Sequence, residues 1–517
     1  MDIKTGGVSG KKIYAVADGY VSRIKVSAYG FGKTLYVTHP NGYVSVYAHL
    51  SRFNAIIAPF VKKEHYKKES FELDLYLDKD QIKLKKGDVI AYSGNSGGSN
   101  GPHLHFEMRL ESTQTPVNPL HFGFQVKDYI RPEIQWLKVI PAGDDALVDG
   151  SNKAKIFSVE GWGEQHRLKN HDTVEVAGPF SLAITTNDKL NDANNRNGVY
   201  SIAIKLDGQK VYYHDLEKFD FSETRYINSL IDYEEYVENK RRYQRSEIDP
   251  NNKLSIYKEV KNNGILYLDD DQTHLVEYTV TDFAGNVSIL PIHVRSANVV
   301  KGSPVPSVGK GIVMHCDSDN MFKEENIEVD IPGSVLYRDI RFEYEVKDGL
   351  PGAYSRVHSI HNDRTPVHSY FKVKIKPDKM PAQTDKLILV RINNDKDLIY
   401  AGGTWESGFV EARIRNFGDY ALVVDTVPPS INSVNIASGQ INDDRSTVKV
   451  KIKDELSGIN KYRATLNGEW LLMEFDAKND LLIYEIDERL LKGNNKFRVE
   501  VSDNAGNTSV FEKILVR

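Results

Sequence analysis

The sequence predicts an all-β, multi-domain protein, and three observations carry that expectation. Polar and apolar residues alternate in short runs, as in Tyr20-Val21-Ser22-Arg23-Ile24-Lys25-Val26 and Tyr43-Val44-Ser45-Val46-Tyr47-Ala48-His49-Leu50. That is the period of a strand with one buried face. Aromatics lean to tyrosine (28) and phenylalanine (20), which suit a pleated, half-buried surface better than a helix. Turn signals such as His39-Pro40-Asn41-Gly42 stand between the runs, and Asn-Gly between alternating segments marks a hairpin.

At 517 residues, and with about 150 residues per domain, three or four domains are expected. The net charge of −5 comes from mixed signs with no basic stripe, so nucleic acid is excluded as a partner class. No stretch approaches the run of about 18 apolar residues that would suggest a transmembrane segment. Cys316 is the single cysteine, which excludes an internal disulfide framework and a cysteine-based zinc cluster. The first thirty residues lack a charged start followed by an apolar stretch, so the sequence in hand carries no signal peptide. Either the protein is cytoplasmic or a leader lies upstream.

In chain order, Lys12 to Val16, Tyr20 to Val26, Lys33 to Thr38 and Tyr43 to Leu50 read as antiparallel strands, which argues against a nucleotide-binding fold. Residues 53–85 turn charged and read as a solvated insertion, in which His65 has little weight. The chain then reaches Ser93-Gly94-Asn95-Ser96-Gly97-Gly98-Ser99-Asn100 and Gly101-Pro102-His103-Leu104-His105-Phe106-Glu107. As a strand, His103 to Glu107 places both imidazoles and the carboxylate on one face. A zinc site with a neighbouring acid/base histidine needs such a pair at the exit of a glycine loop. A surface strand that merely carries two histidines has the same spacing.

The order of Asp18-Gly19-Tyr20-Val21, Gly32-Lys33, His39-Pro40-Asn41-Gly42, Tyr47-Ala48-His49-Leu50, Lys86-Gly87-Asp88-Val89-Ile90, Gly94-Asn95-Ser96-Gly97 and the His103 stretch resembles lysostaphin-like (LytM-type) zinc metalloendopeptidases, which cut peptide bonds in peptidoglycan. The resemblance covers residues 1–122, and the charged insertion with Pro-His-Leu-His resembles Bacteroidetes-type members. It implies Zn²⁺ held by Asp2 and His105, with His49 and His103 as the catalytic histidines. The family's first ligand histidine would fall four residues before Asp2, upstream of Met1. The resemblance thus implies an upstream segment carrying that histidine and a leader, and a periplasmic or cell-envelope location. His39 reads as structural, and Glu107 as a partner for an imidazole or a solvated carboxylate.

Four domains are expected: 1–128, the metallopeptidase domain; 129–299, a β-sandwich with a helical insertion at 222–245; 300–426, sandwich-like; and 427–517, an immunoglobulin-like sandwich. Two copies of a strand followed by Asp-x-Ala-Gly-Asn, at Asp282 to Asn286 and Asp503 to Asn507, resemble the last hairpin of bacterial immunoglobulin-like repeats. The basic end of the helical insertion, Lys240-Arg241-Arg242, reads as a solvated helix terminus. His358, His361 and His368 have no acidic or fourth ligand at recognisable spacing and read as structural.

The functional expectation is a zinc endopeptidase cleaving peptidoglycan cross-links, with the sandwich domains positioning or contacting the peptidase domain in a regulatory way. The alternative is a catalytically inactive domain that binds the cell wall or activates a hydrolase. A third reading is a glycan-binding stalk with a vestigial head.

Overall fold

The computed structural model describes residues 1–143, 145–297, 311–436, 438–441 and 446–517. Strands hold 47% of the chain and helices 8%, which places it in the expected all-β class. The chain divides into two compact units, one of residues 1–119, 380–405 and 422–517, the other of residues 120–379 and 406–421. The expected boundary at 299/300 lies outside the described residues.

In the first unit, the N-terminal strands are β1 (Asp2–Lys4), β2 (Lys12–Tyr14), β3 (Gly19–Val26), β4 (Lys33–Thr38), β5 (Tyr43–Leu50) and β6 (Arg52–Phe53). Helix α1 (Ile57–Lys68) follows, then β7 (Leu73–Tyr76), β8 (Lys83–Leu84), β9 (Val89–Tyr92), β10 (His103–Leu110) and β11 (Pro116–Val117). The main antiparallel sheet runs β1-β10-β5-β4-β3-β7, with β11 on β10 and β8 on β3, and β2-β9-β6 form a small second sheet. The Asn41-Gly42 turn closes the β4/β5 hairpin in the register Thr38↔Val44 and Val37↔Ser45. His39 is buried in that hairpin, with Nδ1 2.8 Å from the Asp18 carbonyl and Nε2 2.7 Å from Ser45 Oγ. Both nitrogens are used, which meets the structural expectation for it.

The charged segment departs from its expectation. Its outer face is solvated, but Ile57, Val61 and His65 of α1 are buried, as are Leu73, Leu75 and Leu84 beyond it. Strands β7 and β8 then pair with β3, in the register Arg23↔Tyr76 and Gly19↔Leu84. The charge count hid a leucine at every second position of β7, which is core periodicity. His65 serves this packing, bonding the Ser70 carbonyl at 2.8 Å and stacking on Phe71.

The C-terminal part of the same unit packs two four-stranded antiparallel sheets face to face around Val448, Val450, Leu482, Tyr484, Phe497 and Val499.

In the second unit, residues 133–296 build a 12-stranded sheet system around one apolar core that includes Leu137, Phe180, Ile184, Val276 and Leu290. Strands Thr273–Thr281 and Val287–Ser296 form a hairpin across the Asp282 turn, as the sequence signal required. The single inserted helix expected at 222–245 is instead three short pieces, a 3₁₀ turn Phe221–Tyr226 and helices Ile227–Leu230 and Tyr233–Asn239. The break comes at Ile231, which is extended, and Asp232 restarts the helix by accepting the Glu235 N–H. Its basic end, Lys240 to Arg242, is exposed as expected, with Arg241 lying over the Trp136 ring and Arg242 over Tyr236.

Candidate metal centre

The site is built where β10 sits between β1 and β5. The β1 edge strand pairs with β10 so that Asp2 faces His105 and Lys4 faces His103. On the other side His105 pairs with Ala48, which brings His49 beside it. The ring centroids of His49 lie 4.9 Å from His103 and 5.8 Å from His105. All four residues singled out by the sequence, Asp2, His49, His103 and His105, therefore meet in one place.

Hydrogen bonding decides which nitrogens face the site. His49 Nδ1 donates to the Ser96 carbonyl at 2.9 Å, and His103 Nδ1 donates to the Gly101 carbonyl at 2.8 Å. A carbonyl only accepts, so each ring holds its proton on Nδ1 and presents a bare Nε2 when neutral. His103 Nε2 lies 3.7 Å from Asp2 Oδ1. His105 is arranged the opposite way. Its Nε2 is 2.7 Å from Glu107 Oε1, and its Nδ1 is 2.8 Å from Asp2 Oδ1. With the proton held toward Glu107, the remaining lone pair on Nδ1 points at a carboxylate oxygen. Two acceptors at that distance call for a proton or a cation between them, and one nitrogen with one carboxylate oxygen suits Zn²⁺.

Charge is distributed accordingly. Without a cation between them, a protonated His105 ring donates to both carboxylates; burial pushes the Asp2 carboxyl up, but that hydrogen bond and the charges of the protonated His105 and His103 rings outweigh it and hold the group below its ordinary value. Glu107 follows the same pattern: burial raises it, and the His105 hydrogen bond and the Arg109 charge bring it down. Arg109 Nε donates to Glu107 Oε2 at 2.7 Å, so the carboxylate that orients His105 is itself anchored. Burial lowers His49, opposed by its bond to the Ser96 carbonyl, and this favours the neutral ring with its bare Nε2.

The glycine-rich approach is a packing requirement. A Cβ on Gly97, whose φ is +70°, would stand 2.4 Å from Gly32 N. This contact holds the Ser96 carbonyl where His49 needs it. His49 itself has a φ of 57°, and its N–H reaches the Phe31 carbonyl at 2.9 Å. The Phe31 ring stacks on His105 at 4.9 Å.

Sequence reasoning did not single out Phe31, Ser96, Gly101 or Arg109. Arg109 was within reach, since it continues the period-two face of His103, His105 and Glu107. The other three act through main-chain carbonyls or ring stacking, which residue type does not announce.

Comparison with known proteins agrees with the N-terminal motifs. Residues 1–66 and 71–119 match the profile of Peptidase family M23, residues 312–425 a Zu5-like domain, and residues 423–515 a Domain of unknown function (DUF7743). The DD-carboxypeptidase/endopeptidase Mpg of Neisseria meningitidis serogroup B is 32% identical over 111 residues, covering 22% of this chain and 20% of that protein. The murein hydrolase activator NlpD of Escherichia coli is 30% identical over 120 residues, covering 23% of this chain and 25% of that protein. The chain thus spans a fifth to a quarter of the length of these two curated relatives. Among solved structures, the catalytic domain of lysostaphin from Staphylococcus simulans is 26% identical, covering 23% of this chain and 81% of that one with a TM-score of 0.17. The N-terminal domain is lysostaphin-like, of the M23 type.

Proposed function

We propose that the N-terminal domain is a zinc-dependent endopeptidase that cleaves peptide cross-links of bacterial peptidoglycan, and that the chain works in the periplasm or cell envelope. The observation that carries this reading is the 2.8 Å approach of His105 Nδ1 to Asp2 Oδ1, with His49 and His103 beside it. Asp2 and His105 would hold the metal. The resemblance implies a third donor, a histidine four residues before Asp2. Bound there, zinc would polarise the scissile carbonyl and acidify a water. His49 and His103 each offer a bare Nε2 to orient that water, take its proton and pass a proton to the leaving amine. Glu107, held by Arg109, keeps the His105 ring in the tautomer whose Nδ1 is free.

The C-terminal sandwich supports a regulatory role toward this domain. Within the first unit, Lys33 pairs with Glu474 at 2.6 Å, Lys62 with Asp487 at 2.7 Å and Arg463 with Glu69 at 2.7 Å. Tyr66 sits between Trp470, edge to face at 5.1 Å, and the Arg489 guanidinium at 3.6 Å. Lys478 donates to the main-chain carbonyls of Asn95 and Gly97, which flank the Ser96 carbonyl that His49 uses. In this reading the domains 129–299, 300–426 and 427–517 position the peptidase, and the last one restrains its glycine loop.

A second reading, a hydrolase-activating module, is favoured by one observation: a relative of similar identity is named a murein hydrolase activator. One experiment separates them. Purified peptidoglycan is incubated with the zinc-supplied chain, with His103→Ala and with Lys478→Glu, and released peptides are measured by mass spectrometry. Release by the chain, loss of about 10²-fold or more in His103→Ala and a rise in Lys478→Glu support the enzyme and its restraint. An unchanged rate in Lys478→Glu removes the restraint. No release, with faster cleavage by a separate peptidoglycan hydrolase when the chain is added, supports the activator.

A further inference from the structure

The second unit contains a cluster of three aspartates that the peptidase reading does not use. Asp128 lies in the segment leading into the sandwich, Asp188 directly follows strand Phe180–Asn187, and Asp282 opens the Asp-x-Ala-Gly-Asn turn. One carboxylate oxygen from each lies within 4.8 Å of the others. Asp282 and Asp188 are almost fully buried, at 2% and 5% exposure. Among the described residues, no lysine, arginine or histidine forms an ion pair with any of the three.

Two of the carboxylates have local partners. Asp282 accepts the backbone N–H of Asn286 at 2.9 Å and its side-chain amide at 2.7 Å. Asp128 accepts the Ile130 N–H at 3.2 Å, and its carbonyl accepts the Asn286 amide at 3.3 Å. Asp188 differs. Its Oδ1 is buried and, among the described residues, has no hydrogen-bond partner. A buried, unpartnered carboxylate oxygen on a residue clustered with two other carboxylates is costly unless something positive meets it.

We propose that Asp128, Asp188 and Asp282 bind a calcium ion that ties the leading segment, the loop after Asn187 and the Asp282 turn together. An all-oxygen, carboxylate-rich set selects a hard divalent cation, and calcium accepts irregular carboxylate and carbonyl oxygen geometry that magnesium, small, octahedral and slow to give up its waters, does not. The first unit holds a related frame, Asp425, Asp454 and Asp503, in which the Asn507 amide donates to Asp503 and to the Asp425 carbonyl as Asn286 does to Asp282 and Asp128. There the third carboxylate, Asp454, accepts the Gly458 N–H at 2.7 Å and the Leu456 N–H at 3.2 Å. Among the described residues none of these three aspartates has a fully buried carboxylate oxygen without a partner, and the proposal does not extend to it.

The test is calorimetric titration of CaCl₂ and, separately, MgCl₂ into the full chain freed of metal with EGTA, beside Asp188→Asn and Asp454→Asn. The expected result is calcium binding with a rise in Tm, weakened about tenfold or more in Asp188→Asn by the loss of one ligand charge and unchanged in Asp454→Asn. In EGTA, Asp188→Asn should melt no lower than the unsubstituted chain, because it removes a buried uncompensated charge; a lower Tm there overturns the account of Asp188 as a carboxylate awaiting a cation. Absence of calcium binding up to millimolar concentration overturns the site, as does full affinity in Asp188→Asn. Equal binding of Mg²⁺ overturns the assignment of the ion.

Discussion

Two sets of three histidines stand in this chain, and they behave differently. His49, His103 and His105 converge with an aspartate, and their outward nitrogens are tied to carbonyls or Glu107, so that the inward nitrogens are left to react. His358, His361 and His368 each settle with a separate neighbour. His358 bonds the Tyr344 hydroxyl at 2.7 Å, His361 bonds Thr365 Oγ1 at 2.9 Å, and His368 stacks on Tyr226 at 4.0 Å. Both sets include a left-handed histidine, His49 at φ 57° and His361 at φ 53°, so unusual backbone alone does not mark a reactive site. Burial lowers His358 and His361 to about 4, as expected of neutral core rings. A reactive set needs bare nitrogens that converge near a carboxylate, and the number of histidines matters less than where their protons are held.

The largest effect that could break this contrast is on the metal. Replacing His105 with Ala should lower zinc affinity about 100-fold or more, since under the proposed reading it removes a direct donor, whereas His361→Ala should leave it unchanged. Competition against a zinc chelator measures both, and equal losses would erase the distinction between the two sets. Glu107→Gln should have a smaller effect, about 10–100-fold in zinc affinity. An amide can present its NH₂ to His105 Nε2 and so reverse the tautomer. Nuclear magnetic resonance of the His105 ring nitrogens reports that reversal, which a loss of packing alone would not produce.

The smallest effect concerns the second set. His358 has a folded value near 4, below the ordinary 6.5, so the unfolded chain binds its proton first as pH falls. Its contribution to stability is present in full above about pH 6.5 and is lost progressively toward pH 4, at most about 3 kcal/mol. His358→Phe should therefore flatten the decline of Tm between pH 7 and pH 4.5 without changing zinc affinity. A decline as steep as in the unsubstituted chain would show that His358 is not held neutral.

The sequence by itself determined the elements that depend on near neighbours. The Asn41-Gly42 hairpin, the common face of His103, His105 and Glu107, and the Asp282 and Asp503 turns all follow from a period of two or from turn chemistry within a few residues. It also brought out Asp2 and His49 through the motif order. Only the tertiary structure decided the rest. Which nitrogen of His49 faces the site depends on a carbonyl 47 residues away, and the identity of Ser96 does not reveal its main-chain direction. The charged segment became part of the sheet because β3 had an open edge for β7 and β8. The helix expected at 222–245 broke at Ile231 and restarted at Asp232, whose carboxylate also pairs with Lys138 at 2.7 Å, from a strand 94 residues earlier. Lys478 reached the glycine loop from 383 residues away in sequence. Local periodicity is set by backbone geometry that each residue carries with it, whereas proton placement, orphaned oxygens such as that of Asp188, and docked surfaces exist only once distant segments have been brought into contact.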